Sequence, residues 1–373
     1  ILSSSIKKYI DYYGVKCGQK ISLFTNNDSA YETAISLYSS GVTVNSIIDI
    51  RNKSNSSIVK EAEKLGIKIH WNHTVVNTNG YKRINSIELM KLSEDGTGVV
   101  GNKIKEECDC LGISGGWTPR VHLFTQSGGK LKFRDKDNVF ITDKPPSEQI
   151  SIGSCNGDFD LDDVINNSNN LIKEFLNINN SNYEDLKIDC SKELDKKNIW
   201  LLPSDKPLGK TKPFLDFQND STAKDVKLAL REGFKSIEHV KRYTTTGMGT
   251  DQGKLSNMHA LGIIAETAGV KMGELGTTTF RPPYTPLTFG AIVGRNVGEF
   301  FDITRKTPMH NWHVEHKAEF ENVGQWKRAW YYPREGENMD KAVQRESKAA
   351  RESAGILDAS TLGKIDIQGT DAS

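Results

Sequence analysis

The chain of 373 residues is too long for one ordinary hydrophobic core, and at roughly 100–200 residues per domain it predicts two to three domains. Its 49 Lys and Arg against 48 Asp and Glu leave a formal charge of +1, which offers no field to hold nucleic acid or an anionic membrane as the main partner. No apolar run approaches the roughly 20 residues that span a bilayer, and the N-terminus has neither a basic stretch nor a cleavage site, so a cytoplasmic location is expected.

Cys17, Cys108, Cys110, Cys155 and Cys190 are odd in number, scattered and without a C-x-x-C pair, which argues against a disulfide framework and against a zinc site. Cys108 and Cys110, two apart, are expected on one face of a strand as small core or surface thiols. Ile1 in place of Met, and an end at Ser373 directly after a strand-like run, lead us to expect an internal piece of a longer polypeptide.

Residues 20–34 predict a strand, a tight turn and a helix start, and residues 41–51 a second strand ending near Asp49, the layout of a Rossmann βαβ unit. Disulfide-reductase-like flavoproteins carry G-x-G-x-x-A at that turn, so the backbone can approach a pyrophosphate at the helix N-terminus. Here Thr25 and Asn27 stand at the glycine positions, with Asp28, Ser29 and Ala30 after them. Two readings stay open: a retained domain that binds no second dinucleotide, with Asp49 only a strand-end carboxylate, or an active pyridine-nucleotide site.

Residues 61–70 add a helix and a strand, and residues 85–110 read as a β-meander leading back into a larger nucleotide-binding domain. The run DCLGISGGWTPRVHLF predicts a buried strand ending at Gly115 and Gly116, with Trp117 and Pro119 fixing the loop beyond. Farther on, VFITDKPPSEQISIGSCNGDFDLDDVI resembles the last strand–helix element of an FAD-type domain, whose motif is A-G-D-x-x-G. Ser154 stands at the aspartate, which weakens the case for FAD here. Residues 166–199, rich in Asn, Lys, Ser and Asp, predict one short amphipathic helix and then a solvated connector.

Ser221 or Thr222 is placed to cap a helix through Arg231, with Asp225 completing a capping box and Gly233 ending it. The stretch EHVKRYTTTGMGTDQGK, residues 238–254, predicts a short helix capped by Ser236, a loop opened by Gly247 and Gly249, and a second helix from Lys254 through Ala268. Residues 276–295 have too many prolines for a helix and too many aromatics for a free linker; an ordered strap is expected, with Thr277 to Thr279 and Arg281 available to an anion, or a purely structural connector. Past Lys306, His310, His313 and His316 recur at spacing three, but Pro308 and the alternating Trp312 and Val314 predict an extended segment and no metal site. A helix over residues 340–353 closed by Gly355, then strands through ILDASTLGKIDIQG, complete the reading.

Several of these stretches carry a family resemblance. Iron–sulfur modules of amine and amino-acid dehydrogenases show C-x-C-E-x-V-T, V-K-R-x-T and G-M-G-x-C-Q-G-R-x-C; this chain has DFQNDST, VKRYT and GMGTDQGKLS in the same order. Asp216, Gln218, Asp251 and Ser256 stand where four thiolates would be, and these oxygens do not replace soft sulfur ligands, so no cluster is expected. With FQND-x-TAKD, HVKRYTTTGM, GTTTFRPPYTP, GQWKR and GILDASTLGKIDIQG, the chain resembles the α subunit of bacterial heterotetrameric sarcosine oxidase along nearly its whole length. Its stretch after residue 306 resembles the opening of the glycine-cleavage T protein, an aminomethyltransferase.

The resemblance implies NAD on the α subunit in an FAD-like site, FMN at the α/β interface, FAD on the β subunit and tetrahydrofolate in a downstream domain, with β, γ and δ subunits as partners. Gly115, Gly116, Trp117, Gly153, Asn156 and Gly157 become candidates for the nucleotide, or glycines needed only for turns. Thr244, Thr245, Thr246, Gly247, Lys254, Thr279 and Arg281 become candidates for FMN, with Lys254 equally readable as a solvated charge. A flavin between subunits needs donors for its phosphate and a cation near its pyrimidine ring. The other half of the nucleotide site is expected upstream of Ile1, and the folate carboxylate downstream of Ser373.

The expected layout is a Rossmann-like, disulfide-reductase-type α/β domain over residues 1–165, with a degenerate NAD(P)-type subdomain over 15–90. A connector over 166–210, a helical cluster-less 2Fe-2S-like module over 211–275, a strap over 276–303 and the start of a folate-binding α+β domain over 304–373 follow. The implied reaction is oxidative demethylation of sarcosine by the complex, the piece alone being inactive. The alternatives are the α subunit of a proline- or hydroxyproline-type dehydrogenase, which usually keeps the cysteines lost here, and a non-catalytic assembly scaffold.

Overall fold

The structure, a computed structural model, describes residues 1–146, 148–177, 197–295, 297–298 and 301–372, and the chain divides into two units, Ile1–Pro286 and Leu287–Ser373. The first opens with α1 (Ser3–Tyr13), then alternates β1 (Lys20–Thr25), α2 (Ser29–Ser39), β2 (Thr43–Asp49), α3 (Ser57–Lys64) and β3 (Ile69–Trp71). An antiparallel meander of β4 (His73–Gly80), β5 (Ile84–Leu92) and β6 (Val99–Glu107) follows, and β7 (Cys110–Ser114) returns to the first sheet. That sheet has the order β3-β2-β1-β7 with every pair parallel, the βαβ arrangement expected from the sequence.

Parallel strands are covered on both faces, and the period of two sorts their side chains. Ile21, Leu23 and Ile47 pack with Ile6, Tyr31, Leu37, Val59 and Ala62 of the helices. Ile48 and the half-buried Phe24 pack the other way, onto Ile87 and Leu89 of the meander. Cys108 and Cys110 do not share a face: Cys108 lies in the meander-side core and Cys110 in the helix-side core. Between them Asp109 interrupts the strand, its carboxylate accepting the Gln19 and Lys20 amides at 2.8 and 2.9 Å.

Next come α4 (His122–Gln126), the hairpin of β8 (Lys130–Arg134) and β9 (Val139–Lys144), a 3-10 turn at Gly153–Asn156 and α5 (Leu161–Phe175). The connector expected after this helix falls, over residues 178–196, outside the described residues. Strands β10 (Phe214–Asp216) and β11 (Ser221–Thr222) pair antiparallel ahead of α6 (Ala223–Arg231), α7 (Ile237–Thr244), α8 (Asn257–Ala268) and α9 (Met272–Leu275). The capping box opens α6, the Asp225 carboxylate accepting the Thr222 amide and hydroxyl at 2.7 Å each. Ser236 makes no such side-chain cap on α7.

Val226, Ala229, Val240, Ala260, Ile263 and Ile264 form the core of the helical module. Leu261, Ala265 and Met272 carry that core onto Phe133 and Phe140 of the β8–β9 hairpin. Full burial of each large aliphatic side chain contributes about 1.5–3 kcal/mol, so the module is anchored to the preceding hairpin by several such contacts.

The second unit holds α10 (Phe289–Val293), β12 (Arg305–Lys306), α11 (His310–Glu315), β13 (Glu319–Val323), β14 (Trp326–Tyr331) and α12 (Met339–Glu352), with sheet order β12-β14-β13. The extended run expected through His310, His313 and His316 is a helix over most of its length. Trp312 and Val314, whose alternation suggested a strand, are 45% and 53% exposed and have no buried face to serve, and Pro308 lies ahead of the first turn, where it obstructs nothing. The strands expected after Gly355 do not form among the described residues: Ile365 and Ile367 are 87% and 71% exposed, with no neighbouring strand to take their amides and carbonyls. No helix among the described residues is long and apolar enough to cross a membrane.

Candidate functional site

The loop joining α7 to α8 is held by side chains at the positions that resemble cluster ligands. Asp216 is 4% exposed at the end of β10. Its Oδ1 accepts the Gln218 and Asn219 amides at 2.9 and 3.2 Å, and its Oδ2 accepts the Gly247 amide at 2.7 Å. Gln218 Oε1 accepts the Thr250 amide and hydroxyl at 2.9 and 2.8 Å. Two of the four positions thus tie the same pair of loops together with hydrogen bonds. Asp251 accepts the Gly253 amide at 3.1 Å, and the buried Ser256 hydroxyl has no protein partner. An iron–sulfur cluster does not fit here, because the donors are oxygens and the Asp216 carboxylate is spent on three backbone amides.

The threonines that follow α7 are turned inward. Thr244 Oγ1 donates to the Val240 carbonyl at 2.8 Å and lies within hydrogen-bonding distance of Thr246 Oγ1, also at 2.8 Å, and Thr245 Oγ1 donates to the Thr244 carbonyl at 2.6 Å. Thr245 adopts φ 59°, and the Asn219 amide group holds its carbonyl at 3.2 Å. Thr244 to Gly247 are therefore gathered against the 216–221 turn.

Lys254 and Arg281 lie on the other side of the loop, against the strap. Lys254 Nζ donates to the Tyr284 carbonyl at 2.6 Å and sits 4.1 Å over the Tyr284 ring. Gln252 clamps the same segment: its Nε2 donates to the Arg281 and Pro283 carbonyls at 2.7 and 3.2 Å, and its Oε1 accepts the Arg281 amide at 2.8 Å. The Arg281 side chain is exposed, and the Thr279 amide donates to Glu238 Oε1 at 2.9 Å. Beneath the strap lies His122, 5% exposed, its ring centroid 3.7 Å from that of Phe280 and 5.2 Å from that of Tyr284. Neither of its ring nitrogens has a protein partner. Burial, with the nearby Lys254 and Arg120 charges, lowers the imidazole to about 4, so it is neutral at physiological pH.

Sequence reasoning passed over His122, Gln252 and Tyr284. The contact partners of His122 come from a segment more than 150 residues later, and no periodicity or local motif marks it.

The nucleotide candidates fall in two places. Gly115, Gly116 and the 53%-exposed Trp117 follow β7 at the carboxyl end of the parallel sheet. Gly116 has φ 102°, a backbone conformation that side-chain-bearing residues rarely adopt. Gly153 and Asn156 bound the 3-10 turn next to β9, where Thr142 Oγ1 donates to Asn156 Oδ1 at 2.7 Å and the Gly157 carbonyl accepts Arg134 at 2.8 Å. Asn156 lines a cavity of about 630 Å³ with Thr142, Gln149, Ile150 and Phe175.

The crevice of the β1–α2 turn is filled. Thr25 Oγ1 donates to the Asn27 carbonyl at 2.8 Å, and Asn27 Nδ2 reaches the Ser114 carbonyl at 3.3 Å. Asp49 is fully buried, accepting Tyr31 Oη at 2.8 Å and Arg51 Nη2 at 2.8 Å. The same guanidinium reaches Asp28 at 2.8 Å. Burial opposes the Arg51 charge, but its hydrogen bonds with Asp49, aided by Asp28, raise its pKa, while burial and Asp49 push the Tyr31 phenol up. A dinucleotide does not fit at this turn: Thr25 and Asn27 replace the glycines with side chains hydrogen-bonded across it, and Asp49 is already paired with Arg51.

In the second unit His313 is held by Tyr332 Oη at 2.6 Å and Asp358 Oδ2 at 2.9 Å. Ser360 and His313 hold the Asp358 carboxyl well below the usual carboxylate range.

Comparison with known proteins agrees with this anatomy. The family model described as Sarcosine oxidase A3 domain matches residues 210–295, and the one described as GCVT N-terminal domain matches residues 309–373. Sarcosine oxidase subunit alpha of Corynebacterium sp. (strain P-1) is 39% identical over 382 residues, covering 100% of this chain and 39% of that protein. The subunit of the same name from Rhizobium meliloti (strain 1021) is 34% identical over 389 residues, covering 100% of this chain and 36% of that protein. Among solved structures, L-proline dehydrogenase from P. horikoshii overlays with a TM-score of 0.47 at 17% identity, over 77% of this chain and 52% of that one. The chain spans about two fifths of the length of its sarcosine oxidase relatives. The chain is thus similar along its whole length to sarcosine oxidase subunit alpha, with the A3 domain match over residues 210–295.

Proposed function

We propose that this chain is part of the α subunit of a cytoplasmic sarcosine oxidase, working with β, γ and δ subunits. The complex would oxidise sarcosine with oxygen and water to glycine, formaldehyde and hydrogen peroxide, or pass the one-carbon unit to tetrahydrofolate as 5,10-methylenetetrahydrofolate. In this reading FAD sits on the β subunit, NAD in the α subunit, FMN at the α/β interface and folate in the domain whose start is residues 309–373. FMN, when bound, carries electrons toward oxygen.

The chain's own contribution is binding. Lys254, beside the orphaned imidazole of His122, gives the cation and hydrogen-bonding groups that a flavin edge requires, and the exposed Arg281 and the Thr279 region flank it. Thr244 to Gly247 would shape that loop, their hydroxyls being used within it. Gly115, Gly116, Trp117, Gly153, Asn156 and Gly157 would face the NAD. The observation that carries the reading is the site at Lys254: a cation in a module whose oxygen donors do not suit a metal cluster, near the buried, unpartnered imidazole of His122 on α4.

The test is coexpression of the full-length protein with its partner subunits, with Lys254 and Arg281 replaced by Ala. Loss of FMN or slowed electron transfer supports the flavin site. Full activity with normal flavin content would leave only an assembly role.

A further inference from the structure

Helix α1 buries only one side of itself. The Ser3 hydroxyl is buried against Thr33 of α2 and Ile6 lies in the core, whereas Tyr9, Tyr12 and Tyr13 are 43%, 78% and 56% exposed. Their spacing of three and four residues brings the rings together: Tyr13 lies 6.0 Å from Tyr9 and meets Tyr12 edge-on at 4.9 Å between centroids. A lone exposed aromatic residue is ordinary on a surface, but three in mutual contact make a patch. Tyrosine is enriched where proteins meet, because a rigid ring covers area at little entropic cost.

The charge around the patch is largely of one sign. From Ser3 to Lys20 the chain carries four lysines and one acid, Asp11, in a protein whose total charge is +1. Lys7 and Lys20 are paired with Asp11 and Glu107. Lys8, one helical turn before Tyr12, and Lys16, just past α1, are exposed and have no acidic partner among the described residues. The β4–β5 hairpin adjoins the loop that follows: Arg83 donates to the Cys17 carbonyl at 3.4 Å, and the neighbouring Tyr81 and Lys82 are exposed.

These features select the occupant. Two copies of the patch placed face to face would set the unpaired lysines of one against those of the other. A nucleic acid backbone requires a run of free cations, and here Lys7, Lys20 and Arg83 are engaged with Asp11, Glu107 and Asp109. An acidic protein face meets neither obstacle, since its carboxylates reach Lys8 and Lys16 while the tyrosine rings cover its apolar centre.

We propose that the Tyr9, Tyr12 and Tyr13 stripe of α1, flanked by Lys8 and Lys16, is the docking surface for an acidic face of one of the partner subunits. The proposal rests on the multisubunit reading above and is independent of the flavin site. Tyr12, the most exposed of the rings, anchors the contact, and the two lysines orient the encounter.

The test uses the full-length protein coexpressed with its partner subunits. The purified complex is diluted and subunit dissociation is followed by mass photometry at low and high salt, for the parent, for Tyr12→Ser and for the pair Lys8→Glu and Lys16→Glu. Tyr12→Ser is expected to dissociate at an at least about tenfold higher concentration than the parent. The charge reversal is expected to do the same at low salt and to have a smaller effect at high salt. Hydroxyl-radical labelling is expected to oxidise the three tyrosines in the isolated full-length protein and to spare them in the complex. Dissociation of both variants within twofold of the parent overturns the proposal while the multisubunit reading stands; a parent that forms no complex overturns both. Tyrosines already protected in the isolated protein would mean that its own chain or a second copy covers the patch, and that too refutes the proposal. Should Tyr12→Ser fail to fold, the charge reversal and the labelling decide.

Discussion

The carboxylate of Asp216 accepts the backbone amide of Gly247 at 2.7 Å, joining two loops 31 residues apart in sequence. The amides of Gln218 and Asn219 complete its coordination, so one side chain organises the turn after β10 and the loop before α8 together. In a module that resembles iron–sulfur domains, hydrogen bonds thus stand where metal–thiolate bonds would.

Asp216→Ala should cost about 2–3 kcal/mol, since three amides lose a charged acceptor at a site 4% exposed. Gln218→Ala, whose bonds to Thr250 lie at the surface, should cost about 1 kcal/mol or less. Urea unfolding of the two variants checks the order; equal losses would mean the Asp216 contacts are not what holds the loops.

Gly262 is a test of close packing. A Cβ added there would lie 2.2 Å from the Trp200 ring, so Ala must displace the indole despite gaining about 1 kcal/mol of helix propensity. Overpacking costs about 1–3 kcal/mol, so Gly262→Ala should be net destabilising by up to about 2 kcal/mol, seen as a lowered melting midpoint.

The Asp49–Arg51 pair predicts a marked asymmetry. Arg51→Met leaves the fully buried Asp49 without its cation and should cost about 3–5 kcal/mol, whereas combining it with Asp49→Asn should recover most of that loss. A double-mutant cycle on chemical denaturation measures the coupling. Neither variant should gain NADH binding, because Thr25 and Asn27 still fill the turn.

The pH dependence of stability isolates His122. A free imidazole titrates near 6.5, while the folded one titrates at about 4, so between these values the unfolded chain takes up a proton that the folded chain refuses. Its contribution is fully present above about pH 6.5, declines as pH falls through the window and levels off below about 4, a loss of about 3 kcal/mol. His122→Phe should remove that decline when unfolding free energies are compared at pH 7 and pH 4.5; an unchanged slope would assign the decline to other groups.

What the sequence disclosed depended on how local the signal was. The βαβ order, the Thr222–Asp225 capping box and the helices on either side of Gly247 are written in runs of ten to twenty residues, and all appear in the structure. The extended reading of His310–His316 failed because alternation shows only that a face exists, and Trp312 and Val314 turn to solvent. Cys108 and Cys110 fell on opposite cores because Asp109 interrupts the strand between them. Lys254 was visible as a charge beside glycines, yet its contact with Tyr284 and the covered ring of His122 arise from tertiary packing that no spacing encodes.

The most direct test of the central claim, that this module forms one wall of a flavin site, is the flavin content of the assembled full-length protein. Flavins extracted from the parent complex and from a Lys254→Met complex would be separated and counted, with FAD as the internal standard. The account predicts that Lys254→Met loses FMN and keeps FAD; equal FMN in both preparations would contradict it.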